Sequence, residues 1–365
     1  MTIATALAAT TTNADLASWW PLRLLLGAYI VVVAALVVFG RPGDHPHPVG
    51  RFLLRIPNAL HRLTGIPGWA AAAVGTSCFA LLVAGIGFYN DVAWHIYRGR
   101  DKALLTAPHS MIVVGLFLIA TSGFMAIQFA TLERANVGFR LGRIRVPFAS
   151  VPLVLVGLTA LAGFPLDDLW HAQFGIDVTM WSPTHLLMIL GAALSPIPSW
   201  MLLTEAGVRP SDGRWARFIH GLAAVLVLAG LTAPLGEFAF GVPQFQQLYH
   251  PVLIALAAGF ALVAARLVLG RGWALGVAAI NLVISMGGGF SRLPHGYAHN
   301  RLPAIFVGSA IAIELVALAL GTQRRLRFAL VSGLAVGTAG FAAEWAWNAG
   351  AHQPWKSPLL LPALT

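Results

Sequence analysis

Charge is scarce in this chain: only 10% of its 365 residues are Asp, Glu, Lys or Arg, where a soluble domain carries about a quarter. A water-soluble globular fold is thereby excluded, and 58% hydrophobic residues with a mean hydropathy of +0.77 point to an integral membrane protein. Cysteine is reduced to Cys78, which excludes an intrachain disulfide and reads as a small buried thiol in an apolar run. Lysine is nearly missing too, with Lys102 and Lys356 alone among 23 basic residues. The arginine bias, beside abundant alanine and glycine, suits a GC-rich bacterial genome and so a bacterial plasma membrane. The first twenty residues carry Asp15 and lack a basic n-region and small-residue cleavage site, so the first apolar run is expected to be retained.

Apolar runs near the ~20 residues needed to span a bilayer recur throughout. They fall near 21–40, 68–90, 108–131, 146–166, 184–204, 218–236, 249–268, 272–290, 303–321 and 328–347. The expected fold is all-α: a polytopic membrane helical bundle of about ten transmembrane helices, with outward-opening hairpins that repeat internally. Three parts are expected: 1–66, a first span with a basic cytoplasmic segment; 67–205, duplicated hairpins; and 206–365, further hairpins with degenerate repeats. Within 41–66, Phe52, Leu53, Ile56, Leu60 and Leu63 alternate with arginines as in an amphipathic helix on the anionic inner leaflet, making membrane lipids a partner. His45 and His47 beside it read as part of a solvated proline-rich turn.

The net charge of +10 does not imply nucleic acid, because the basic residues sit in short loops between spans. Those at 41–62, 134–145, 209–217, 266–271 and 324–327 share one face, which the positive-inside rule makes cytoplasmic. Both termini are then expected outside.

The rare ionisable groups are concentrated in a phrase that occurs twice. Asp91, Trp94, His95, Gly99, Asp101, Pro108 and His109 return as Asp167, Trp170, His171, Gly175, Asp177, Pro183 and His185, every position but the proline offset by 76. In each copy the carboxylate precedes the first histidine by four residues, which puts both on one helix face. The second histidine lies near the proline that opens the following span, so a hairpin brings it back to the other two. One carboxylate and two imidazoles with open positions suit copper, zinc or non-haem iron, and raw affinity favours copper. Asp101 and Asp177 would orient a ligand imidazole or cap the returning helix. The tryptophans Trp94, Trp170 and Trp181 also suit an aromatic belt at the outer headgroups.

Weaker echoes follow. Pro165, Leu166, Asp168 and His185 match Pro234, Leu235, Glu237 and His250, while Glu344 and Trp347 repeat the acid-to-tryptophan spacing. Asp168, Glu237, His250, Glu314 and Glu344 are candidate outer-shell or relay groups. Glu314, read as lying near the middle of a span, needs a partner, a proton or a cavity.

The stretches DVAWHIYRGRDKALLTAPHS and DDLWHAQFGIDVTMWSPTH resemble the C subunit of the copper membrane monooxygenases, the particulate methane and ammonia monooxygenase family. The resemblance covers about residues 70–205. It implies one copper site at Asp91, His95 and His109, another at Asp167, His171 and His185, O2 activation on a small apolar substrate, and partner subunits including a membrane and a cupredoxin-like one, with homo-oligomerisation. Where that family's second cluster begins with asparagine, this chain has Asp167. Other readings of the same residues are a metal-ion or proton-coupled transporter, in which Glu314 carries protons and Gly287–Gly289 before His295 and His299 break a helix. A zinc membrane hydrolase using Asp168 as base is a third reading, and bis-histidine haem a weaker fourth.

Overall fold

Long runs of Ala, Leu, Val and Gly without a charged residue leave the backbone helix as the way to satisfy its own hydrogen bonds in lipid, and helices account for nearly all of the structure, a computed structural model. It describes residues 20–39, 47–98, 105–174, 180–236, 249–290 and 306–350. In chain order these form α1 (Trp20–Phe39), α2 (Pro48–Leu53), α3 (Arg55–Thr64), α4 (Gly68–Arg98), α5 (Ala107–Leu132), β1 (Phe139–Leu141), β2 (Ile144–Val146), α6 (Ser150–Phe174), α7 (Pro183–Leu194) and α8 (Pro196–Glu205). There follow α9 (Arg214–Thr232), extended by a 3-10 turn over Ala233–Leu235, then α10 (Tyr249–Leu269), α11 (Trp273–Phe290), α12 (Val307–Leu320), α13 (Arg325–Ala335), a π-helical turn over Val336–Gly340 and α14 (Phe341–Gly350).

Seven helical stretches among the described residues are long and apolar enough to cross a membrane: Gly68–Val92, Ala107–Leu132, Ser150–Phe174, Pro183–Glu205, Arg214–Leu235, Pro251–Leu269 and Arg325–Ala343. The chain is thus an all-α, multi-pass membrane bundle. Trp273–Ile284 and Val307–Leu320, from two more of the expected runs, form shorter apolar helices. The span helices are apolar around their whole circumference. Leu82, Leu155 and Leu256 are each about 60% exposed on helices whose other faces bury Ala80, Leu153 and Ala257, as a lipid-facing surface requires.

The chain divides into two compact units. The first contains Met1–Val178 and Ser182–Val208, the second Thr179–Trp181 and Arg209–Thr365. In the first, α4, α5, α6 and α7 pack in sequence, each against the next. Trp69, Leu116, Ile119, Leu153, Leu202 and Leu203 fill the core, and buried Ser77 and Ser199 share a 2.7 Å hydrogen bond. Tyr29 of α1 sets its ring edge-on to Phe117 of α5 at 4.3 Å.

Small residues bring the helices close, since packing in lipid depends on contact rather than on escape from water. A Cβ at Gly115 of α5 would press on Ala84 and Ala80 of α4, and one at Gly191 of α7 on Ala160 and Val156 of α6. These contacts obey the same 76-residue offset as the polar phrase.

The loop read as merely basic forms a short antiparallel hairpin, with Phe139 opposite Val146 and Leu141 opposite Ile144. Thr131 accepts the Arg145 amide at 2.8 Å and anchors it to α5. Two glutamates serve neighbouring helix starts on this side. Glu205 accepts the amides of Phe148 and Ala149 just before α6. Burial raises the Glu133 carboxyl above its ordinary pKa, against the lowering effects of the Trp69 amide and His61. The apolar run at 184–204 is broken at Ser195, where Pro196 starts α8. The basic segment before α4 contains two helices, α2 and α3, joined at Leu54.

In the second unit, Leu228, Leu262, Ile313, Phe328 and His220 are fully buried. Glu314 is not a lone mid-membrane acid. It accepts Arg266 Nε at 2.8 Å and the Ala274 amide at 3.1 Å, binding the end of α10 and the start of α11 to α12. The hairpin arginine is thus its counter-charge, and α11 gains an N-terminal acceptor.

Candidate metal centres

A helix advances one turn in about four residues, so α4 carries Asp91 and His95 side by side near its end, and α6 does the same with Asp167 and His171. The returning helices complete each set. Thr106, in an extended conformation, precedes α5, and Ser182 precedes α7 with its hydroxyl accepting the His185 amide at 3.4 Å. His109 and His185 are both the third residue of their helix. The displaced proline of the second copy now has a simple account: Pro108 is second in α5, whereas Pro183 is first in α7 and leaves Thr184 where Pro108 stood.

In the first cluster Asp91 Oδ1 lies 3.4 Å from His95 Nε2 and 3.0 Å from His109 Nε2, with the imidazole centroids 5.6 Å apart. In the second, Asp167 Oδ2 lies 3.2 Å from both His171 Nε2 and His185 Nε2, with centroids 5.5 Å apart. In each set one candidate ligand atom from every residue lies within 4.8 Å of the others. The structure therefore gathers the six ligand candidates into two sets of three.

Donor atoms held at about 2.0–2.1 Å from a shared ion are about 2.9 Å apart at right angles and up to about 3.4 Å apart at the tetrahedral angle. The oxygen-to-nitrogen separations of 3.0–3.4 Å fall in this interval. Asp91 Oδ1 is buried, and its polar neighbours are the two imidazole nitrogens at 3.0 and 3.4 Å. A buried carboxylate oxygen in that condition is costly unless a cation completes its surroundings. Donor chemistry, spacing and the buried carboxylate oxygen all fit a transition-metal ion.

The two clusters differ in ways the sequence phrase conceals. Thr184 donates its hydroxyl to Asp167 Oδ1 at 2.6 Å, so one carboxylate oxygen is held while the other faces the imidazoles. Position 108 is proline and offers Asp91 no such bond. The second cluster is also more enclosed: the His171 side chain is 8% exposed, that of His95 34%. Phe164, one turn before Asp167 on α6, sets its ring edge-on to His109 at 5.6 Å and so touches the first cluster. Thr184 and Phe164 escape sequence reasoning, although position 184 lies at the repeat offset from Pro108.

The other candidates are distributed differently. Asp168 is half-buried beside Asp167. Asp101, Asp177 and Glu237 lie outside the described residues, as do His45, His295, His299, most of the loops expected outside and both chain ends. His250 and Glu344 fall on α10 and α14, but their side chains are outside the description; Gly287–Gly289 lie within α11, which continues as helix through them to Phe290. Glu314 belongs to the second unit and its brace with Arg266. No family model, curated protein or solved structure matches the chain.

Proposed function

We propose that this protein is a copper-binding membrane oxidoreductase, related to the C subunit of the copper membrane monooxygenases, whose two Asp/His/His clusters each hold one ion. The observation that carries the reading is the repeated convergence of one carboxylate oxygen and two Nε2 atoms at 3.0–3.4 Å. Two neutral imidazoles and a carboxylate also serve zinc or iron, and the Irving–Williams order favours copper among them. A bound copper ion supplies one-electron redox chemistry with O2.

The residues do the remaining work. Asp91 and Asp167 offset the ion's charge, the paired helix ends fix the imidazole directions, and Thr184 fixes the Asp167 carboxylate. Phe164 and the surrounding apolar helices exclude water and suit a small membrane-dissolved substrate. The proposed topology has about ten spans with both termini outside, in a bacterial plasma membrane, and the clusters open to the extracytoplasmic side. The hairpin pair α4–α5 and α6–α7 is proposed as an internal duplication, supported by the shared 76-residue offset of ligands and glycine contacts. Further membrane and cupredoxin-like subunits, and homo-oligomerisation, belong to the same proposal. A proton-coupled transporter is less well supported, because Glu314 is already committed to Arg266 and the Ala274 amide.

Metal analysis with copper EPR on purified protein in nanodiscs tests the reading. About two copper ions per chain are expected, with one lost in His95→Ala and the other in His171→Ala. Stoichiometric zinc after copper loading would replace the oxidoreductase with a hydrolase, and retention of no metal would remove the metal reading altogether.

A further inference from the structure

Where α9 begins and α10 ends, the second unit has an open depression of about 700 Å3, lined by Arg209, Arg214, Arg217, Ser211, Val268 and Leu269. This volume is in the range of small-ligand clefts. Its three guanidinium groups form no ion pair among the described residues. The neighbouring acid, Asp212, uses Oδ2 to accept the Arg209 amide at 2.7 Å. Arg214 stands over the Trp215 ring at 5.7 Å, which holds the residue at the rim. Three like charges around one hollow repel one another, and an anion between them removes that cost.

The surroundings identify the anion. The depression joins the ends of two candidate spans, Arg214–Leu235 and Pro251–Leu269, on the arginine-rich face. Val268 at its edge and Phe218, one turn along α9 from Arg214, are exposed apolar side chains. Guanidinium groups above and apolar side chains below match a phosphate joined to acyl chains. The first turn of α9 carries no acidic residue, and Gly213 before it provides no side-chain cap, so the free amides there add to the positive field.

We propose that this depression binds the phosphate headgroup of an anionic phospholipid from the cytoplasmic leaflet. Binding here depends on neither metal cluster. Native mass spectrometry of the detergent-solubilised full chain, titrated with phosphatidylglycerol or phosphatidylcholine, provides the test. At least one phosphatidylglycerol should be retained in preference to phosphatidylcholine. Its affinity should fall about fivefold for each arginine removed in Arg209→Gln, Arg214→Gln and Arg217→Gln combinations. Arg214→Lys/Arg217→Lys keeps the charge and should retain most of the binding, separating charge loss from misfolding. The combination Arg324→Gln/Arg325→Gln/Arg327→Gln removes the same charge elsewhere and should leave binding intact.

Equal retention of the two lipids, or equal weakening by the two triple variants, overturns the site. Displacement by millimolar inorganic phosphate without any preference for phosphatidylglycerol overturns the lipid assignment in favour of a soluble phosphate ligand.

Discussion

Thr184 and Pro108 occupy corresponding positions with opposite consequences. The hydroxyl of Thr184 restrains Asp167, whereas proline has no hydroxyl to give to Asp91. Partners that orient a ligand typically contribute 10–100-fold to metal affinity. Thr184→Val should therefore weaken copper at the second cluster by about tenfold and leave the first unchanged, measured by competition with a calibrated chelator. Equal affinities before and after the substitution would show that the carboxylate holds its direction without the hydroxyl. His95, four residues after Asp91, was legible from spacing alone, because the helical turn dictates which side chains are neighbours. Thr184 was not: a threonine beside a proline usually reads as part of a helix start, and its acid becomes visible only when two helices are side by side.

Among the elements, the hairpins α4–α5 and α6–α7 rely on close glycine contacts. Gly87 meets Met111 and Ile112, and Gly163 meets Leu187 and Met188, again at the repeat offset and one turn from the cluster acids. Gly115→Leu or Gly191→Leu would drive a side chain into the opposite helix, with an expected cost of about 1–3 kcal/mol. The loss should appear as a lower melting temperature in detergent, while Gly75→Leu, whose Cβ meets nothing within 4 Å, should melt as the parent does. Glycine is common enough here that composition could not separate packing positions from idle ones. The break at Ser195 was within reach, given Pro196 and Pro198, but the apolar run around them hid it. Arg266 is 48 residues from Glu314, so the acid looked isolated until the helices were placed. The β1–β2 hairpin is hidden in the sequence, where Arg140, Arg143 and Arg145 interrupt its few apolar residues.

For the whole molecule, the lone Cys78 makes side-specific labelling simple, since Cys78→Ser leaves a background without thiols. In intact cells, Leu105→Cys beside the first cluster should react with a membrane-impermeant maleimide, and Ser211→Cys only after permeabilisation. The reverse pattern would invert the proposed topology. The proposed repeat is a pair of crossings, an even number. A tandem copy of an odd number of crossings emerges upside down and delivers its polar end to the opposite compartment, whereas a copy of two returns the chain to its starting side. Under the proposed duplication the second copy arrives upright, and both triads would draw on one reservoir of ions and experience the same redox conditions.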